Sequence, residues 1–153
     1  MLNRLMSAFG LATVLCIQSA SAQTTGPTIL DHIREDFSHR SEYRVRQDLG
    51  RVVISDAMSG KELFTVSSLS RNAISIEGSV ARGMTPTFMR TAGDHIAHFN
   101  CSAPVGTLIV ATSGDILLQH YVNPELVPAA AIVNLAQRFG DAVRTESLNL
   151  ATQ

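Results

Sequence analysis

The chain has 153 residues, 45% of them apolar and 16% charged, a balance that excludes a disordered segment and fits one domain around one core. Its formal net charge is −1, and removing residues 1–22, which hold Arg4 and no acid, leaves 11 cations against 13 acids. So small an imbalance implies no strongly electrostatic partner, nucleic acid included.

Residues 1–22 have the order of a cleaved export signal. Asn3 and Arg4 supply the positive start, residues 5–17 an apolar run interrupted only by Ser7, Gly10 and Thr13, and Ala20, Ser21 and Ala22 a small-residue cleavage site before Gln23. The run falls short of the roughly 20 residues that span a bilayer, so no membrane anchor is expected after cleavage. Bulky Leu15 stands before Cys16, where a lipoprotein signal places a small residue. The expected mature protein is therefore a single periplasmic domain of residues 23–153. It retains one thiol, Cys101, in an oxidising compartment, and the expectation for it is a buried, inert side chain.

In chain order, residues 23–26 form a loose leader and Pro27 suits a first helical position. Ile29, Leu30, Ile33 and Phe37 then recur at helical spacing, and residues 38–41 end the helix. From Glu42 the period is two, with Tyr43, Val45 and Gln47 on one face and Arg44, Arg46 and Asp48 on the other. Leu49 and Gly50 turn the chain, Val52 and Ile54 continue the apolar face, and residues 56–61 turn it again into a strand over 62–68. Ile74, Ile76 and Val80 alternate with Ser75, Glu77 and Ser79 in a fourth strand. The short connections predict an antiparallel meander of four strands.

Thr85 before Pro86 predicts a helix cap, and Phe88, Met89, Ala92, Ile96 and Phe99 share about a third of the circumference of the helix that follows. That stripe is expected to cover one face of the sheet, with Gly93 making a close contact to a strand. Pro104 and Gly106 precede the unalternated run Leu108, Ile109, Val110 and Ala111, which predicts a strand covered on both faces. Ser113-Gly114 supports a tight reversal into a strand over 116–122. Beyond the bend bracketed by Pro124 and Pro128, Ile132, Leu135, Ala136, Phe139 and Val143 line a final amphipathic helix, and the tail from Ser147 is expected to contribute little. Leu108, Val110, Ile116 and Leu118 are expected in the core.

The order of helix, strands, helix, hairpin and helix resembles the fold shared by class I chaperones of type III secretion and the YbjN family of bacterial proteins. The likeness is concentrated in about 50 residues of the second half, where Asn100 closes the middle helix ahead of a strand, the Ser113-Gly114 turn, a return strand and an amphipathic helix. It implies an α+β module that binds another polypeptide or its own copy, as a homodimer. Two features depart from those relatives, which are largely cytoplasmic and often acidic, so delivery of secreted effectors is not implied.

Candidate chemistry centres on the middle helix. His95 and His98, three residues apart, are the most metal-like pair, yet a zinc site needs three or four ligands and no adjacent Cys or carboxylate completes a spacing; Asp94 points to another sector. Cys101 with His98 imitates a thiol and base, without a second cysteine for a redox motif. No G-x-S-x-G elbow is present. Ser59-Gly60-Lys61 lacks the glycine and hydroxyl of a phosphate loop, since Ser55 and Glu62 occupy those positions. Arg40, Arg44, Arg46 and Arg51 alternate with Glu42 and Asp48 as a solvated strand face does, without aromatic interleaving.

The expectation is therefore an α+β, periplasmic, non-catalytic protein-binding or regulatory module, possessing no cofactor and no assigned catalytic or metal residue. Two alternatives remain beside it: a small enzyme using Cys101 and His98, and a metal or small-ligand binder using His95 and His98.

Overall fold

The computed structural model describes residues 28–102 and 105–151. The expected signal segment and leader, with Pro27 and Pro104, lie outside them. The described elements run α1 (Ile29–Ser38), β1 (Tyr43–Asp48), β2 (Arg51–Asp56), β3 (Glu62–Ser70), β4 (Ala73–Ala81), α2 (Pro86–Ser102), β5 (Thr107–Val110), β6 (Ile116–Val122) and α3 (Ala129–Ala151). The strands form one sheet in the order β1-β2-β3-β4-β6-β5, antiparallel throughout, so the fold is α+β with the expected four-strand meander and hairpin. Among the described residues, no helix is long and apolar enough to cross a membrane.

Thr28 starts α1 with a capping box. Its hydroxyl accepts from the Asp31 N–H at 3.3 Å while the Asp31 carboxylate accepts from the Thr28 N–H at 2.9 Å. Leu30, Ile33 and Phe37 are the buried side of this helix. The register then sorts the strands by face. Val52 pairs with Val66, Ile54 with Phe64 and Leu108 with Leu118, all of them buried, and these side chains meet the helices. The opposite face carries Arg44, Arg46, Thr65, Ser67, Ser75, Glu77 and Gln119, so it suits contact with water.

A chain of edge-to-face aromatic contacts joins the layers. Tyr43 meets Phe37 at 4.9 Å between ring centroids, Phe37 meets Phe64 at 5.6 Å, and Phe64 meets Phe139 at 5.7 Å. Each such pair contributes about 0.5–1.5 kcal/mol beyond burial. α3 approaches the sheet closely because glycine stands at both contact points. A Cβ on Gly78 would lie 2.6 Å from Val143 Cγ2 and 2.7 Å from the Leu63 carbonyl oxygen, and one on Gly140 would lie 2.9 Å from Phe64 Cε1.

The hairpin tip is also fixed. Gly114 has φ 82°, a left-handed conformation that suits glycine, and its carbonyl accepts from the Met84 N–H at 3.0 Å. The Asp115 carboxylate accepts from the Gly83 N–H at 2.8 Å, chiefly through which its carboxyl is held below the usual range.

Several expectations are corrected. β5 is an edge strand, not a doubly covered one; Leu108 is buried but Val110, at the open end, is 49% exposed. The last helix continues past Ser147 and buries Leu150. Gln47 is exposed, β3 runs two residues beyond Ser68, and α2 extends past Asn100 to Ser102. Gly93 faces open space, so no strand contact accounts for it.

Candidate functional site

α2 carries the three residues singled out from the sequence, His95, His98 and Cys101. The Thr85 hydroxyl caps it, accepting from the Phe88 N–H at 3.3 Å. Of its apolar stripe only Ala92 is fully buried; Phe88, Met89, Ile96 and Phe99 are half-buried against the core. The helix thus does not blanket a sheet face as expected. It runs beside β5 and closes that edge of the core.

Two polar contacts fasten α2. The Asn100 side chain accepts from the Leu108 N–H at 2.7 Å and donates to the Leu108 carbonyl at 2.9 Å, tying the last turn of the helix to the edge strand. His95 Nε2 lies 2.5 Å from a carboxylate oxygen of Glu146 on α3. Glu146 is buried, and its other oxygen accepts from Asn149 Nδ2 at 3.2 Å. A buried carboxylate is costly unless hydrogen-bonded, so this pairing satisfies Glu146 as much as it orients the imidazole.

Glu146 escaped the sequence reading, although a signal existed. It lies three residues after Val143 and four before Leu150, on the buried stripe of α3, where a charge calls for a partner.

A carboxylate holding an imidazole is two parts of a nucleophilic triad, and the third part does not arrive. Cys101 lies six residues beyond His95, about 9 Å along the helix axis. It is exposed, contrary to the expectation of a buried thiol. The physical reason is angular: two residues past Phe99 is about 200° round the helix, the side away from the core. His98 is exposed too, and among the described residues no hydrogen bond joins it to Cys101; the His98 carbonyl accepts from the Ser102 hydroxyl at 2.8 Å. The two histidines therefore part company, His95 turned to Glu146 and His98 to solvent. Among the described residues no group of three His, Cys, Asp or Glu side chains converges to hold a metal.

The remaining candidates fall into ordinary structure. Ser59-Gly60-Lys61 is the β2–β3 turn, in which the Asp56 carboxylate accepts from the Ser59 and Met58 N–H groups at 2.8 and 3.1 Å. Arg44 and Arg46 are exposed, while Arg51 and Arg46 lie 3.2 and 3.5 Å from Asp48 and Arg40 lies 3.0 Å from Asp36.

One recess was not foreseen from the sequence. About 610 Å³ lies between α1 and the start of α3, lined by His32, Glu35, Asp36, His39 and Val133 among others. The spacing of His32, Asp36 and His39 by four and three residues put them on one side of α1 and its C-terminal cap, which was a legible signal. Asp36 is already engaged there, accepting from Arg40 Nε at 3.0 Å and Gln137 Nε2 at 2.9 Å. Compared with known proteins, the chain matches no protein-family model and no curated protein sequence.

Proposed function

We propose that the protein is an exported, periplasmic, non-catalytic module that binds a polypeptide, either a partner or its own second copy, against the corner formed by α2 and β5. One observation carries this reading: Phe88, Met89, Ile96 and Phe99 leave part of their apolar surface uncovered beside an edge strand whose Val110 is 49% exposed. Apolar side chains grouped in this way favour association, and edge strands invite a neighbour. Asn100 already occupies the Leu108 peptide group, so the helix stripe rather than strand addition supplies the main contact. The resemblance to YbjN-family proteins and class I secretion chaperones agrees with a binding role and adds no residue to it.

The test is capture from a periplasmic extract combined with the oligomeric state of the purified protein in solution. Wild type should capture a partner or self-associate, and Met89→Glu should lose that association while remaining folded by circular dichroism, with a somewhat lower melting temperature because Met89 also packs on the core. A protein that remains monomeric, captures nothing and is indifferent to Met89→Glu overturns the proposal.

The exposure of Cys101 favours a second reading, in which its thiol is the nucleophile of a small enzyme with His98 as base. Rapid thiol labelling of the native protein is expected on either reading. Only the enzyme reading predicts that Cys101→Ala abolishes function.

A further inference from the structure

At the end of the sheet away from the β1–β2 turn, a recess of about 390 Å³ opens between the β2–β3 turn and the last third of α3. That volume suits a small molecule. Its floor is apolar, with Leu63 buried and Leu148 69% exposed at the rim, and Met58 on the adjoining turn is almost fully solvent-exposed. Three charged residues line it: Asp56, Lys61 and Arg144.

The charges are not equally available. Asp56 Oδ1 accepts from the Met58 N–H and from the Ser59 N–H and hydroxyl, while Oδ2 accepts from Arg144 Nη2 at 3.3 Å. Both oxygens are therefore occupied, and these hydrogen bonds, led by the Ser59 N–H, hold the Asp56 carboxyl below the usual range. Arg144 is shared in turn between Asp56, the Tyr43 hydroxyl at 3.1 Å and the Tyr43 ring at 4.7 Å. Lys61 is different. Among the described residues its ammonium has no carboxylate partner, so the one acid of the recess is consumed and a cation is left over.

A second observation points the same way. The Ser147 hydroxyl, in the wall of the recess, is buried and has no hydrogen-bond partner among the described residues. An unpaired buried hydroxyl is unfavourable, and one change of χ1 rotamer can re-aim it.

We propose that this recess binds a small organic monoanion with a short apolar tail, the simplest being a carboxylate on an alkyl chain. The carboxylate pairs with the Lys61 ammonium, with the Ser147 hydroxyl as a further donor, and the tail covers Leu63 and Leu148. The site is separate from the α2 and β5 corner, so it stands or falls independently of the polypeptide-binding reading.

The probe is hexanoate, titrated into the purified protein and followed by amide chemical shifts. Saturable shifts are expected at Ser59, Lys61 and Leu148, with hexanol and acetate each weaker by about tenfold or more, because one lacks the charge and the other the tail. Lys61→Met should weaken hexanoate by about tenfold and Lys61→Arg should keep most of the binding. Lys61 is an exposed turn residue, so neither change should disturb folding, and partner capture at α2 should persist in both. Equal binding of hexanol and hexanoate, indifference to Lys61→Met, or shifts confined to the recess between α1 and α3 would each overturn the proposal.

Discussion

The Asn100 carboxamide presents to Leu108 one acceptor and one donor, the pairing that a neighbouring strand would offer to an edge. Replacing it by alanine leaves that backbone pair without its partner and should cost about 1–3 kcal/mol. The check is chemical denaturation of Asn100→Ala beside wild type, with loss of exchange protection at the Leu108 amide as the local signature. A second residue sets a pH dependence. His120 is on the helix-facing side of β6, paired with Ile76, and burial first of all, then the charge of Arg138, pushes its imidazole below the ordinary 6.5, while a hydrogen bond with the Val105 backbone opposes them. The group is neutral in the fold and takes up its proton more readily in the unfolded chain. Its contribution is thus complete above about pH 6.5 and is lost as pH falls through the lowered folded value. Denaturation midpoints at pH 7.5 and pH 5 should differ more in wild type than in His120→Gln. Equal differences in the two proteins would remove His120 as a source of the acid sensitivity.

α3 is the element on which the core depends. Phe139 is fully buried against Phe64, so Phe139→Ala should cost about 3–5 kcal/mol through lost burial and the cavity left behind. The opposite change, Gly78→Ala, adds one carbon where Val143 and the Leu63 carbonyl leave no room, and should cost about 1–3 kcal/mol by overpacking. Urea denaturation of both variants is the measurement, and a Gly78→Ala protein as stable as wild type would show that the helix can step back from the sheet. The period of these elements was legible because burial imposes it: Ile132, Leu135, Ala136, Phe139 and Val143 are all buried as their spacing predicts. What spacing does not report is which neighbour an element meets. Val110 shares the core-facing side of its strand, yet it is 49% exposed among the described residues, and no local pattern announces an edge. The site was less legible still. His95 was visible as a residue bordering the apolar stripe of α2, but its partner Glu146 is 51 residues away, and the spare charge of Lys61 follows only once Asp56 is seen to be occupied.

Across the whole molecule, burial is unevenly distributed. α1 and α3 lie on the sheet with Ile33, Phe37, Ile132, Ala136 and Phe139 wholly removed from water, whereas α2 buries Ala92 alone completely and is otherwise held by its half-buried stripe, Asn100 and the His95–Glu146 contact. A helix secured so lightly need not wait for the domain to unfold before it opens. Native-state hydrogen exchange should therefore divide the amides into two populations. Those of β2, β3, β4 and α3 should exchange only through global unfolding, with rates that rise steeply with added denaturant. Those of α2 should exchange through a smaller, nearly denaturant-independent opening, and Glu146→Gln should speed both sets by about the same factor, because its contact with His95 is broken in either opening. A single cooperative population spanning α2 and α3 would refute the division. If the division holds, the helix bearing the uncovered apolar stripe is also the part of the protein that can detach and be remoulded while the other two helices and the sheet stay folded, so a partner meeting it would be selecting among its conformations rather than docking on a fixed surface.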